Sequence, residues 1–150
     1  MSNLAGGPYV QAALFCERVL SEKDNVLSLI RIVDRLVLTV AGPSAPEQMP
    51  PSPVNCQAVI MLKTGSLSGS YQLRLSPTTP SGKELPSVST RILLAGGEDG
   101  GTNLIFNVQF IANEEGVYWF DVIFEDQLLT RLPLRIVYQS LSAGQLPGTT

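Results

Sequence analysis

The sequence predicts an all-β chain folded as a two-layer antiparallel β-sandwich of about eight strands, with a β-barrel as the alternative. Apolar and polar residues alternate with a period of two from one end of the chain to the other. Proline- and glycine-marked connections separate the alternating runs. Where helix formers gather, over Ala12–Ser21 and Leu27–Leu38, their apolar residues do not fall on a helical stripe. A single core over residues 1–138 and an irregular tail over 139–150 account for the length.

The first run, Tyr9 to Glu17, sets Val10, Ala12, Leu14 and Cys16 on one face against Gln11, Ala13, Phe15 and Glu17, a strand with one buried face. The polar turn Ser21–Asn25 leads into Val26–Val40, β-branched and Leu-rich, which reads as one long strand with room for a bulge. From Gly42 to Pro53 the prolines crowd too closely for ladder bonds or a helix to continue, and a long loop is expected. Val54–Lys63 resumes the alternation with Val54, Cys56, Ala58, Ile60 and Leu62 together. Thr64-Gly65-Ser66 then turns the chain into a strand facing Tyr71, Leu73 and Leu75 inward, so a hairpin is expected there. After the Pro-, Ser- and Thr-rich Ser76–Pro86 comes a short strand, Val88–Ala95, ended by the glycine run Gly96–Gly101. The clearest alternation puts Leu104, Phe106, Val108 and Phe110 inward and Ile105, Asn107, Gln109 and Ile111 opposite. Two closing strands, Val117–Phe124 and Leu128–Tyr138, flank Glu125-Asp126-Gln127. Pro133 lacks a ladder donor and so belongs at an edge or a bulge.

Charge narrows the function classes. The 10 Lys and Arg against 13 Asp and Glu leave a net charge of -3, and no stretch is basic enough to follow a phosphate backbone, so no nucleic-acid partner is expected. Charged residues are 15% of the chain, below the roughly 25% usual for globular domains. Either Ser, Thr, Gln and Asn solvate the surface, or part of it is covered by a protein partner or by a second copy of the chain, as a homo-oligomer; the second is the expectation taken forward. No run approaches the length of an apolar membrane span, and Met1–Gly7 has neither the basic nor the apolar region of a secretion signal. No membrane partner is expected, and a cytoplasmic protein with reduced thiols is.

Catalysis is not expected. The chain has no histidine, which removes the commonest general base, the Ser-His-Asp and Cys-His pairs and the commonest zinc ligand. Cys16 and Cys56, each alternating with apolar neighbours, read as small core residues, with a cross-sheet disulfide as the alternative in a secreted chain. Glu17, Asp34 and Asp121 are the strand acids that paired-carboxylate chemistry would need on one cleft, but ion pairs with Arg18, Arg31 or Arg35 are the simpler reading. The Gly96–Gly101 run precedes a strand, not a helix, and Glu98 and Asp99 would repel a phosphate, so it reads as a hairpin loop. No cofactor is implied.

Two features point to binding. If successive strands reverse direction, the turns holding Glu22 and Asp24, Glu98 and Asp99, and Glu125 and Asp126 share one end of the sandwich, where their carboxylates form a candidate calcium pole. Turn acids that merely contact solvent are the plainer reading. The second feature is the aromatic strand: Tyr118, Phe120, Val122 and Phe124 face inward, which turns Trp119 outward with Val117, Asp121 and Ile123. An outward indole flanked by Val117 and Ile123 is expected to be covered, either by another chain or by the proline-rich Ala41–Pro53 segment.

The stretch Leu14-Phe15-Cys16-Glu17-Arg18-Val19-Leu20 through Asn25–Arg35 resembles the opening of an uncharacterised family of small bacterial β-sandwich proteins. The ending, Gly116–Asp121 to Leu132–Val137, is similar to that family's closing hairpin, and also to immunoglobulin-like domains in which Gly-x-Tyr opens a late strand. The likeness covers the two ends of the chain and implies a sandwich without implying an activity. Together these readings lead to the expectation of a non-catalytic protein-binding or self-assembling module, with a calcium- or small-ligand-binding sandwich as the alternative.

Overall fold

Alternating strands pack as two layers in the computed structural model, which describes residues 6–97 and 99–141. In chain order the strands are β1 (Tyr9–Ser21), β2 (Leu27–Val33), β3 (Arg35–Ala41), β4 (Ser52–Lys63), β5 (Ser68–Thr78), β6 (Val88–Ala95), β7 (Gly101–Ala112), β8 (Gly116–Phe124) and β9 (Gln127–Leu141). A four-stranded sheet runs β2-β1-β4-β7, and a five-stranded sheet runs β3-β9-β8-β5-β6. All pairings are antiparallel except β3 with β9, which is parallel. The expected sandwich is therefore present, with one parallel edge pair added. Of the expected tail, residues 139–141 continue β9, and residues 142–150 lie outside the described ones.

The core lies where the alternation of β4, β5, β7 and β8 predicts it. Val54, Cys56, Ala58, Ile60 and Leu62 meet Tyr118, Phe120, Val122 and Phe124 from the other sheet in one cluster. Phe15 and Phe120 cross edge to face with ring centroids 5.0 Å apart, and Phe110 and Tyr118 lie 5.1 Å apart. Each fully buried side chain of this size contributes about 1.5–3 kcal/mol of hydrophobic stabilisation. In β1 Val10 faces the core as expected, and beyond it the expected face is reversed. A bulge between Val10 and Ala12 shifts the register, so Val10, Ala13 and Phe15 pack on the core, and Ala12, Leu14 and Cys16 turn outward beside Met61, Val59 and Gln57.

Val26–Val40 is two strands in different sheets, not one. The chain leaves β2 at Val33, pivots at Asp34 and enters β3 at Arg35, where the Arg135 N–H donates to the Asp34 carbonyl at 3.1 Å. The core-packed residues change parity across the pivot, from Val33 to Leu36 and Leu38, the trace of that break in the sequence. The expected hairpin at Thr64-Gly65-Ser66 is also absent: β4 and β5 belong to opposite sheets, and this turn bridges the layers. Pro133 fits its expected place. β3 begins opposite Arg135, so no strand faces Pro133 on the side away from β8, and its missing donor leaves no acceptor stranded.

Candidate functional site

The inward packing of Tyr118 and Phe120, each 1% exposed, sets the outer face of the five-stranded sheet. The Tyr118 hydroxyl donates to the Glu114 carbonyl at 2.9 Å and accepts the Glu114 N–H at 3.3 Å, tying the start of β8 to the preceding turn. Trp119 must then point outward, as the alternation predicts, and it is 37% exposed. Val117 and Ile123 are half-buried on the same face. Within the chain, a side chain of β9 lies on the indole. Arg131 of β9 lies over it, its guanidinium carbon 4.6 Å from the ring centroid, while the Arg131 Nε donates to Asp121 Oδ1 at 2.7 Å. The proline-rich segment packs elsewhere, with Met49 against the core and the Pro46 carbonyl accepting from the Tyr138 hydroxyl at 2.6 Å. Each of these surface contacts is worth about 1 kcal/mol or less; their combined effect is to hold indole, guanidinium and carboxylate in one arrangement.

Around this centre the register collects arginines that the sequence reading left dispersed. Arg35, Arg74, Arg91, Arg131 and Arg135 each alternate with core-facing neighbours, as Arg74 does between Leu73 and Leu75, and so project onto the same outer face. Outward orientation is legible from alternation; their proximity depends on the strand order.

The acidic pole does not form as expected. Strand pairing puts the Glu22 and Asp24 turn at the end of the sandwich where Ser21 meets Leu27 and where Ser52 meets Ala112. Asp99 lies at the opposite end, where Lys63 meets both Tyr9 and Gly101, and Glu125 and Asp126 lie at that end too, beyond Phe124. The extra reversal at Asp34 shifts the parity of every later connection, which is why the turns separate. Glu98 lies outside the described residues. The other acids have local tasks: Glu22 accepts from Ser28 Oγ at 2.9 Å, Asp24 from the Val26 N–H at 3.2 Å, and Glu125 from the Gln72 N–H at 2.9 Å. Among the described residues no three Asp, Glu, Cys or His side chains group closely enough to hold a metal ion.

Both thiols are free and buried. Cys16 sits opposite Gln57 on the neighbouring strand, so Cys56, one residue away, points to the other face of the same sheet, which argues against a bond between them. Burial, with the proximity of Cys16 adding to it, pushes the Cys56 thiol up to about 11, and burial raises Cys16 as well. A cleft of about 440 Å³ opens where β2 leaves for β3, lined by Phe15, Val33 and Leu132 among others and holding a single carboxylate, Asp34.

The fold and this surface define an all-β sandwich with an arginine- and tryptophan-bearing sheet face. Residues 11–137 match the model of a family of unknown function, DUF6941, and the chain belongs to that family. No curated protein matches it. Among solved structures it is similar to an immunoglobulin-like protein from Pseudomonas aeruginosa, at 13% identity and a TM-score of 0.45, over 90% of this chain and 99% of that one. A β-glucosidase from Listeria innocua is also similar, at 10% identity and a TM-score of 0.45, over 86% of this chain but 17% of that one. No helix among the described residues is long and apolar enough to cross a membrane.

Proposed function

We propose that the chain is a non-catalytic module that binds another protein through the outer face of the five-stranded sheet, centred on Trp119. The observation that carries this reading is the partly exposed indole held beneath Arg131 on a rigid strand. Trp and Arg are the side chains that dominate protein-binding hot spots, and here backbone packing pre-orients both. The non-catalytic part is supported by the chain's lack of histidine, by thiols whose ionisation is suppressed, and by a cleft with one carboxylate where acid–base chemistry would use two. The test is a Trp119→Ser variant. The ring lies on the sheet surface beneath Arg131 and between Pro133 and Thr78, so unfolding free energy should change by about 1–2 kcal/mol, less than for a core aromatic. Proteins cross-linked to the wild-type chain in its own cells should be selectively lost from the variant. An identical cross-linked set would refute the reading.

A second reading, self-assembly, has its own observation on the other sheet. Ile32, Ile105 and Ile111 are 61%, 44% and 61% exposed on the outer face of the four-stranded sheet, around a fully buried Val59 that faces the same way. No acidic residue lies on that face among the described residues. Its charged residues, Arg18 and Lys63, lie towards opposite ends of the sheet, and the apolar patch between them can pack against its own copy.

A further inference from the structure

We infer that the outer face of the five-stranded sheet binds an extended acidic segment of a partner protein, laid along a diagonal track of five arginines. The inference rests on the protein-binding reading above and names the partner's chemistry. Arg35 lies opposite Arg135 on the edge pair, and Arg135 lies opposite Val117. Arg131 follows opposite Asp121, then Arg74 opposite Ile123, and finally Arg91 opposite Gln72 on the other edge. The first step crosses the sheet, the second runs along β9 and the last two do both, so the track is diagonal as a whole, with Trp119 and Ile123 between the arginines.

The track spans about 30 Å along the strands and about 19 Å across them, a diagonal of about 35 Å. About ten residues of extended chain cover that length. Three of the five, Arg74, Arg91 and Arg135, make no ion pair among the described residues. Among the described acids only Glu17 and Asp121 lie within strands, and Asp121 already engages Arg131. Asp34 stands 3.8 Å from Arg35 at the edge, largely in solvent. Guanidinium groups match carboxylates in paired hydrogen bonds, and the apolar surface of Trp119, Pro133 and Ile123 offers contacts for leucine or aromatic side chains between the acids.

The ends of the sandwich select against longer polyanions. Glu22, Asp24, Glu114 and Glu115 stand at one end and Asp99, Glu125 and Asp126 at the other. A nucleic-acid strand or an anionic bilayer overrunning the track meets those carboxylates within a Debye length of about 8 Å. A segment of track length meets Glu125 beside Arg91 and Asp34 beside Arg35 at its two termini alone.

The experiment measures binding of the full chain to a fluorescein-labelled acidic peptide of about ten residues containing leucine. Its counterparts are the same peptide with Asn and Gln for its acids, an oligothymidylate of matching length, and phosphatidylserine vesicles. The acidic peptide should bind best, weaken as salt rises, and lose at least about tenfold in affinity in the Arg74→Gln/Arg135→Gln double variant. Arg91→Gln, at the exposed edge where its guanidinium contacts Ser70 Oγ at 3.3 Å, should weaken it in the same direction with an unchanged melting temperature. If the neutral peptide binds equally well and is lost in Trp119→Ser, the acidic partner is wrong and the protein-binding reading stands. Tighter binding of the oligonucleotide or of the vesicles overturns the inference in their favour. If neither peptide binds, the acidic-segment inference falls, and the cross-linking comparison with Trp119→Ser alone decides the protein-binding reading.

Discussion

Cys56 shows what burial does to one side chain. Its thiol, 2% exposed, is pushed up to about 11 from the ordinary 9.0 by desolvation first and by neighbouring Cys16 second. The folded chain therefore holds this proton more tightly than the unfolded chain. The associated stability is complete below about pH 9 and is lost as pH rises towards 11, because the unfolded thiol ionises first. The loss attributable to this group reaches about 2–3 kcal/mol. Urea unfolding from neutral pH upward should show the wild type falling faster than Cys56→Ala in that interval. Parallel declines would mean that the thiol titrates in the fold as it does in the unfolded chain. Burial of Cys56 is legible from alternation, since it shares a face with Val54, Ala58 and Ile60. Burial of Cys16 on the outer side of the sheet is not, because the bulge in β1 that turns it there leaves no mark in the residue pattern.

Among the strands, β8 matters most, since it carries Tyr118 and Phe120 into the core and Trp119 out of it. It begins at Gly116, whose φ of 125° is a conformation that residues with a Cβ rarely adopt, and a Cβ there would come within 3.0 Å of Pro80 Cβ. Gly116→Ala should cost about 1–3 kcal/mol in urea unfolding. A neutral result would mean that β8 starts in another conformation. The two strands misread as one, β2 and β3, show the limit of pattern reading. Val26–Val40 is apolar throughout, so a continuous strand and a strand broken at Asp34 have almost the same composition, and the parity change from Val33 to Leu36 is the one local sign of the break.

For the molecule as a whole, five arginines and Trp119 share the outer face of the five-stranded sheet, exposed Ile32, Ile105 and Ile111 that of the other, and most acids lie in the turns at the ends. Self-assembly through the isoleucine face would bury Ile105 near its centre. Sedimentation of the wild type over rising concentration should then show a dimer that Ile105→Asp converts to a monomer. Ile105 is 44% exposed, so the variant's melting temperature should change little. A wild type that stays monomeric at high concentration removes this reading and leaves the Trp119 face unaffected.

Alternation along the chain is enough to establish the all-β class, most strand boundaries, the inward sides of β4, β5, β7 and β8, and the outward Trp119 with Val117 and Ile123. These are local properties: successive side chains point to opposite sides of a strand, and a buried side must be apolar. Composition similarly removes histidine-based chemistry. Which strand lies beside which is a non-local matter, because a strand's own residues specify the side it buries and leave its neighbour open. The β3–β9 pairing, the layer change between β4 and β5 and the reversal at Asp34 all belong to that second kind. They bring Arg35, Arg74, Arg91, Arg131 and Arg135 from distant parts of the chain onto one face, and they send Glu22 and Asp24 to the opposite end from Asp99, Glu125 and Asp126.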